Sequence, residues 1–193
     1  MRKTSESVKR ILIILLFFFL NIKSFSQDNR ILNDINNIEL GIIDIREISN
    51  IESIDRLFLS NSMLINFDYI INAENLEYLY INNCKFDFPI DCISELKNLK
   101  RLNITFCNID DISFLGHMKT LEIIFLDNNK INDISIFEKL SNLQVLSLMY
   151  NEVTDITPLK QLEKLLYLNL KHNNILDFSP IDNLNNITNL RKD

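Results

Sequence analysis

A repeat constrains this chain more than anything else in it. "LQVLSLMYNEVTDITPLKQL", from Leu143 to Leu162, places leucine-type residues at 143, 146, 148, 153, 156, 159 and 162. That spacing is too mixed for the two-residue period of a strand or the 3.6-residue period of a helix. The same rhythm returns as "LLYLNLKHNNILDFSPIDNL" from Leu165, "LEIIFLDNNKINDISIFEKL" from Leu121 and "LKRLNITFCNIDDISFLGHM" from Leu99. Further back stand "LEYLYINNCKFDFPIDCISEL" from Leu76, one residue longer near Pro89, and "IDRLFLSNSMLINFDYIINA" from Ile54. Units therefore start at 54, 76, 99, 121, 143 and 165, with a partial seventh from Ile187, at a period of 22 broken by a single 23. A unit of this length cannot bury its apolar side alone, so neighbours must stack and close a shared core.

The rhythm inside a unit predicts its parts. Positions 1, 4 and 6 are apolar, and the 4/6 pair reads as a short strand with one face buried. Positions 11, 14, 17 and 20 are apolar at a spacing of three, which suits a 3₁₀ or irregular return leg facing the same interior. Successive strands are then parallel neighbours, about 4.8 Å apart. Position 9 holds Ser62, Cys84, Cys107, Asn129, Asn151 and Asn173. A side chain there turns inward as the strand ends, and an asparagine amide can satisfy backbone groups that would otherwise be buried unpaired. The column is expected to form a polar structural spine.

These motifs resemble the leucine-rich repeat family, in the 22-residue class of bacterial internalins and of the eukaryotic phosphatase-regulator type. The pattern L-x-x-L-x-L-x-x-N-x-I-x-D-I-x-P-L-x-x-L matches 143–162 with Val153 for isoleucine, and 165–184 with conservative swaps. The Asp-Ile pair recurs at Asp111-Ile112, Asp133-Ile134 and Asp155-Ile156, and as Asp177-Phe178, while Pro158 and Pro180 share one phase. The resemblance implies an α/β-type repeat solenoid: a leucine-rich repeat horseshoe with a parallel β-sheet on the concave face and 3₁₀ or irregular convex legs. It also implies protein binding without a cofactor.

Outward positions in each strand are 3, 5, 7 and 8, because 4 and 6 point inward. They gather Phe58, Tyr78, Tyr80, Arg101, Phe106, Ile123, Phe125, Met149, Tyr150 and Tyr167 on one face. Exposed aromatics and arginine are favoured at protein interfaces, so these ten are the candidate partner-binding residues. The bland alternative is that aromatics simply suit strands and that neighbouring repeats cover one another.

Other chemistry finds little support. His117 and His172 fall in different units on opposite sides, which leaves no catalytic pairing. No His/Cys spacing suggests zinc, and the recurring aspartates are read as turn formers rather than calcium ligands. Neither a metal nor a cofactor is expected, and the chain is read as no enzyme. Cys84 and Cys107 occupy equivalent places in adjacent units, near enough for a disulfide, but their side chains should point the same way. Buried free thiols are expected there, with Cys92 left over near the surface of a return leg. Asn103-Ile-Thr105 and Asn186-Ile-Thr188 are glycosylation sequons that chance explains in so asparagine-rich a chain.

The N-terminus reads differently. Arg2, Lys3, Lys9 and Arg10 precede an apolar run from Ile11 to Leu20, followed by Ser24 and Ser26. That layout is a secretory signal peptide over residues 1–26, and the run is too short for a membrane span of about 20 residues. The leader carries five Lys/Arg and one Glu of a chain whose formal charge is −6, so the remainder would stand near −10. Such acidity disfavours nucleic acid. Residues 27–53 are expected to cap residues 54–193; Ile42, Ile45, Ile48 and Ile51 carry return-leg phase behind a poor strand. At the other end Asn189, Arg191, Lys192 and Asp193 blunt an open edge. The expectation is therefore an exported, secreted or periplasmic monomer, without a membrane span after cleavage, that binds a protein or a glycan. The alternatives are a spacer segment with no partner of its own and a regulatory subunit of an enzyme.

Overall fold

The structure, a computed structural model, describes residues 41–193. The leader reading and most of the expected cap, residues 27–40, lie outside the described residues. Among the described residues, eight strands form one parallel sheet in chain order: β1 (Gly41–Asp44), β2 (Arg56–Ile65), β3 (Tyr78–Phe86), β4 (Arg101–Thr105), β5 (Ile123–Phe125), β6 (Val145–Ser147), β7 (Tyr167–Asn169) and β8 (Asn189–Arg191). Each full unit returns through a 3₁₀ segment: Phe67–Asn72, Ile90–Glu95, Ser113–His117, Ser135–Lys139, Thr157–Leu159 and Ser179–Ile181. The expected solenoid, a parallel sheet with 3₁₀ legs, is what the chain adopts.

The register follows the repeat. Leu57, Leu79, Leu102, Ile124, Leu146 and Leu168 lie side by side at position 4. With Leu59, Ile81, Ile104, Leu126, Leu148 and Leu170 at position 6 they fill the inner side of the sheet, and all are buried. The legs close the core from behind with Phe67, Ile70, Ile93, Leu115, Phe137 and Leu159, likewise buried. Three-residue legs suffice because 3₁₀ spacing brings i and i+3 onto one side.

Three local expectations need correction. The strands of the first two units are not short: β2 runs ten residues and β3 nine, through position 9 and on to positions 12 and 11. Ser62 and Cys84 bring no amide to end the ladder, so the backbone keeps pairing as Ser62↔Cys84, Met63↔Lys85 and Leu64↔Phe86. At the start, Ile42 does not take the return-leg place; Ile43 pairs with Leu64, and Ile42 is 73% exposed. The one-residue slip puts Ile42 on the other face, as period-two geometry requires, while Ile45 and Ile51 bury as their phase predicts. Cys92 is not a surface thiol: it is half-buried and packs against the core, its Sγ 3.9 Å from the Phe67 carbonyl oxygen.

Candidate binding face

The face opposite the core begins with how each strand ends. Position 8 is left-handed in every full unit, with φ of 50° at Asn61 and Asn83, 57° at Phe106, 58° at Asn128, 56° at Tyr150 and 57° at His172. One left-handed residue redirects the backbone, so that position 8 faces outward and position 9 turns in. Asparagine tolerates this conformation; bulky side chains rarely adopt it.

Behind the turn, the later asparagines tie neighbouring coils together. Asn151 accepts from the Ile131 N–H at 3.0 Å and donates to the carbonyls of Leu126 and Leu148 at 2.9 and 3.0 Å. Asn129 and Asn173 repeat the pattern with Ile109 and Val153 as donors. Asn129 and Asn151 are buried and Asn173 is half-buried. Ser62, Cys84 and Cys107, all buried, instead reach the carbonyl two residues back in their own unit, and Cys107 adds a weak contact to the Ile81 carbonyl of the preceding one. A second column went unread in the sequence: Asn75, Asn98, Asn142 and Asn186 close the units and donate to Glu52, Glu74, Lys119 and Glu163 carbonyls of the preceding coil. Their recurrence just before the units that start at 76, 99, 143 and 187 is the available signal.

The outward side chains divide into zones. At position 3, Arg56, Tyr78 and Arg101 are register partners on β2, β3 and β4. The Arg56 and Arg101 Cζ atoms lie 4.5 and 4.7 Å from the Tyr78 ring centroid, so the ring is sandwiched between two guanidinium groups. Beside it Phe58 and Tyr80 stack with centroids 4.7 Å apart and planes 12° from parallel. Ile123, Phe125, Val145, Met149 and Tyr167 continue the face, each half-buried. Tyr150 stacks on His172 at 4.1 Å, and the Arg191 guanidinium lies 6.0 Å from the Tyr167 ring. Phe106 is half-buried at the end of β4.

Not every outward position is available. Thr105, Ser147 and Asn169 are buried by their neighbours. Asp127 accepts from the Ser147 hydroxyl and the Met149 N–H on one oxygen. Burial pushes its carboxyl up to about 6, against the two hydrogen bonds that favour the charged form. Burial likewise raises the thiols, Cys84 to about 11 and Cys92 and Cys107 to about 12, and all three are free. Such thiols are poor nucleophiles.

The aspartates Asp111, Asp133, Asp155 and Asp177 each accept from the backbone N–H two residues on, at 2.8 Å. These bonds hold Asp133, Asp155 and Asp177 below the usual carboxylate range; the backbone bond is the largest cause at 133 and 177, the Thr157 side chain at 155. Asp111 and Asp133 line a depression of about 70 Å³ at the start of two legs. Among the described residues no group of His, Cys, Asp and Glu has the geometry of a metal site, and no helix is long and apolar enough to cross a membrane.

Comparison with known proteins agrees with this geometry. The family model described as leucine-rich repeats (2 copies) matches residues 97–140, 119–161 and 141–186. No curated protein matches the chain. Among solved structures, an internalin (inlF) from Listeria monocytogenes is 27% identical with a TM-score of 0.60, over 74% of this chain and 48% of that one. An internalin C2 (inlC2) from the same organism is 26% identical at 0.61, over 79% of this chain and 77% of its own. The Leptospira interrogans LRR protein LIC12759 is 27% identical at 0.65, over 72% of this chain and 37% of its own. The chain thus spans about half the length of the first of these and less of the third.

Proposed function

Because the chain is a leucine-rich repeat protein of internalin-like type, we propose that it is an exported module that binds a protein partner on the open face of its sheet. Leucine-rich repeat folds commonly mediate protein–protein interaction, and the outward residues of this chain support that reading. The observation that carries the reading is the division of the sheet. Its inner side is filled by buried aliphatics at positions 4 and 6, while its outer side holds a row of part-accessible rings and apolar groups from Phe58 to Tyr167. Aromatic rings lose little conformational entropy when a partner covers them. A tethered sheet presents them in fixed order, which lowers the ordering cost of association.

Export rests on the leader-like residues 1–26. The role is binding and not catalysis, with no metal or cofactor, and the chain acts as a monomer once the leader is removed. The partner is a protein in preference to a glycan, because the face mixes apolar rows with charge.

Crosslinking capture with residues 27–193, read by mass spectrometry, tests this. Tyr80→Ser with Phe125→Ser should keep the parent's circular dichroism and a cooperative urea transition at a moderately lower midpoint, because the Phe58–Tyr80 stack is lost, and abolish specific capture. Persistent capture by that variant would place the site elsewhere.

A further inference from the structure

Resting on that reading, we infer that the Arg56–Tyr78–Arg101 sandwich recognises an acidic side chain on an extended partner segment that carries an apolar residue three to four positions away. The chain is acidic overall, with formal charge −6, yet two arginines are held together on one spot of the binding face. Each comes from a strand flanking β3, and contact with the Tyr78 ring, 4.5 and 4.7 Å from the guanidinium carbons, holds both groups beside it. Stacking occupies the flat faces of a guanidinium and leaves its N–H edges for hydrogen bonding.

The neighbouring acids do not neutralise them. Arg56 approaches only Asp55, at 3.5 Å, and both side chains are more than half exposed. Arg101 has no carboxylate at ion-pair distance among the described residues, although it sits half-buried. Glu77, the acid just before β3, is taken up by Lys100 at 2.7 Å. Two pre-positioned guanidiniums, Arg56 with only a solvent-screened contact to Asp55 and Arg101 with no ion pair among the described residues, are the complement of a carboxylate, which accepts such forks in bidentate fashion.

The same register row states what comes next to that acid. Position 3 continues from Arg101 to Ile123 on β5 and Val145 on β6. From β3 these lie two and three strand spacings away, on the order of 10–14 Å. An extended segment crossing the strands covers that distance in about three to four residues. The acid therefore sets the register and the apolar residue settles over Ile123 and Val145. Asp55 beside Arg56 disfavours a run of acids, so a single acid is selected over a polyanion.

The test uses the mature chain and two acetylated, amidated hexapeptides, Gly-Glu-Ser-Gly-Leu-Gly and its reverse, each with a glutamine counterpart. Binding is read in every variant from backbone amide NMR signals of β2 to β6, and in the parent also from the arginine Nε–Hε signals. We expect one glutamate peptide to shift the Arg56 and Arg101 signals, and its glutamine counterpart to bind about tenfold more weakly. R56Q/R101Q should abolish that difference with an unchanged urea midpoint, and R56K/R101K should restore part of it. Equal binding of glutamate and glutamine peptides, or no binding of either, overturns the inference. Inorganic sulfate competing as effectively as the peptide also overturns it, because the site would then be a simple anion site. Crosslinking capture that survives R56Q/R101Q but not the Tyr80/Phe125 double variant removes this inference alone. Capture that survives both removes the binding face itself.

Discussion

Units one and two, residues 54–98, and units four to six, residues 121–186, build the same coil by different means. In the first pair the backbone pairs straight through the corner, in strands of ten and nine residues. In the later units the strands stop after three residues, and buried asparagine amides carry the connection between coils. Unit three stands between them: β4 has five residues, and the Cys107 N–H donates to Asn129 of the next unit. The lesson is an accounting one. Every buried backbone group needs a partner, and whether a side chain or a neighbouring backbone supplies it sets the strand length.

The largest test of that difference is Asn151→Leu. It removes the acceptor for Ile131 N–H and the donor for Leu126 and Leu148 carbonyls, all buried. Orphaning these groups should cost about 3–5 kcal/mol, measured by urea unfolding. A cost near zero would mean that the later units can extend their strands as the early ones do, and the contrast would collapse.

A second test concerns the burial that the short strands leave around Asp127. Its carboxyl is raised from 3.8 to about 6, so the folded chain holds a proton that the unfolded chain has released between those values. Stability should therefore fall as pH rises from about 4 to about 6 and stay lower above it. Asp127→Asn keeps an acceptor for Met149 and removes the charge. It should abolish this part of the pH profile and stabilise the chain at pH 7 by on the order of 2 kcal/mol. The surface carboxylates shift the opposite way and act only below this window. A pH profile unchanged by the substitution would show that Asp127 is solvated.

Much of this contrast was written in the sequence, but only one half of it was readable. The 22-residue period, the inward 4/6 pairs and the leg residues follow from hydrophobic spacing alone, because only a stacked coil satisfies them together. Asn129, Asn151 and Asn173 carry their partners' identity in their own chemistry. Ser62 and Cys84 do not, since neither names the backbone ladder that replaces an amide. The slip at Ile42 was invisible for a related reason: Ile42 and Ile43 are equally apolar, and pairing with β2 chose between them. The ten candidate face residues were legible as a row. That Tyr78 is clasped by Arg56 and Arg101, and that Ser147 and Asn169 are covered, depends on side-chain reach across strands, which no spacing encodes.

Cys84 offers a smaller and sharper comparison. Cys84→Ala removes a buried sulfur that makes one weak contact to the Asn82 carbonyl, and should cost about 1 kcal/mol by thermal unfolding. Cys84→Asn installs the later units' residue where β3 already pairs with β2, as Ser62↔Cys84. The amide would find its usual partners occupied, so it should destabilise by about 1–2 kcal/mol. If the asparagine stabilised the chain instead, the long strands would be a consequence of missing amides and not an equivalent solution.

Position 8 is where the two regions agree, and it gives the finest test. Asn83 and Asn128 hold φ of 50° and 58° in an early and a late unit. Alanine at either place puts a Cβ into the left-handed region and should cost about 1 kcal/mol, whereas glycine should stay within about 0.5. Asn83 also donates to the Asn61 side chain, but that bond is exposed and adds little. Equal alanine penalties at 83 and 128, read from urea midpoints, would show that the turn of the backbone is common to all units and only its support differs. A penalty confined to Asn128 would mean that the long strands absorb the turn by pairing, and the two halves would then differ in backbone as well as in what holds it.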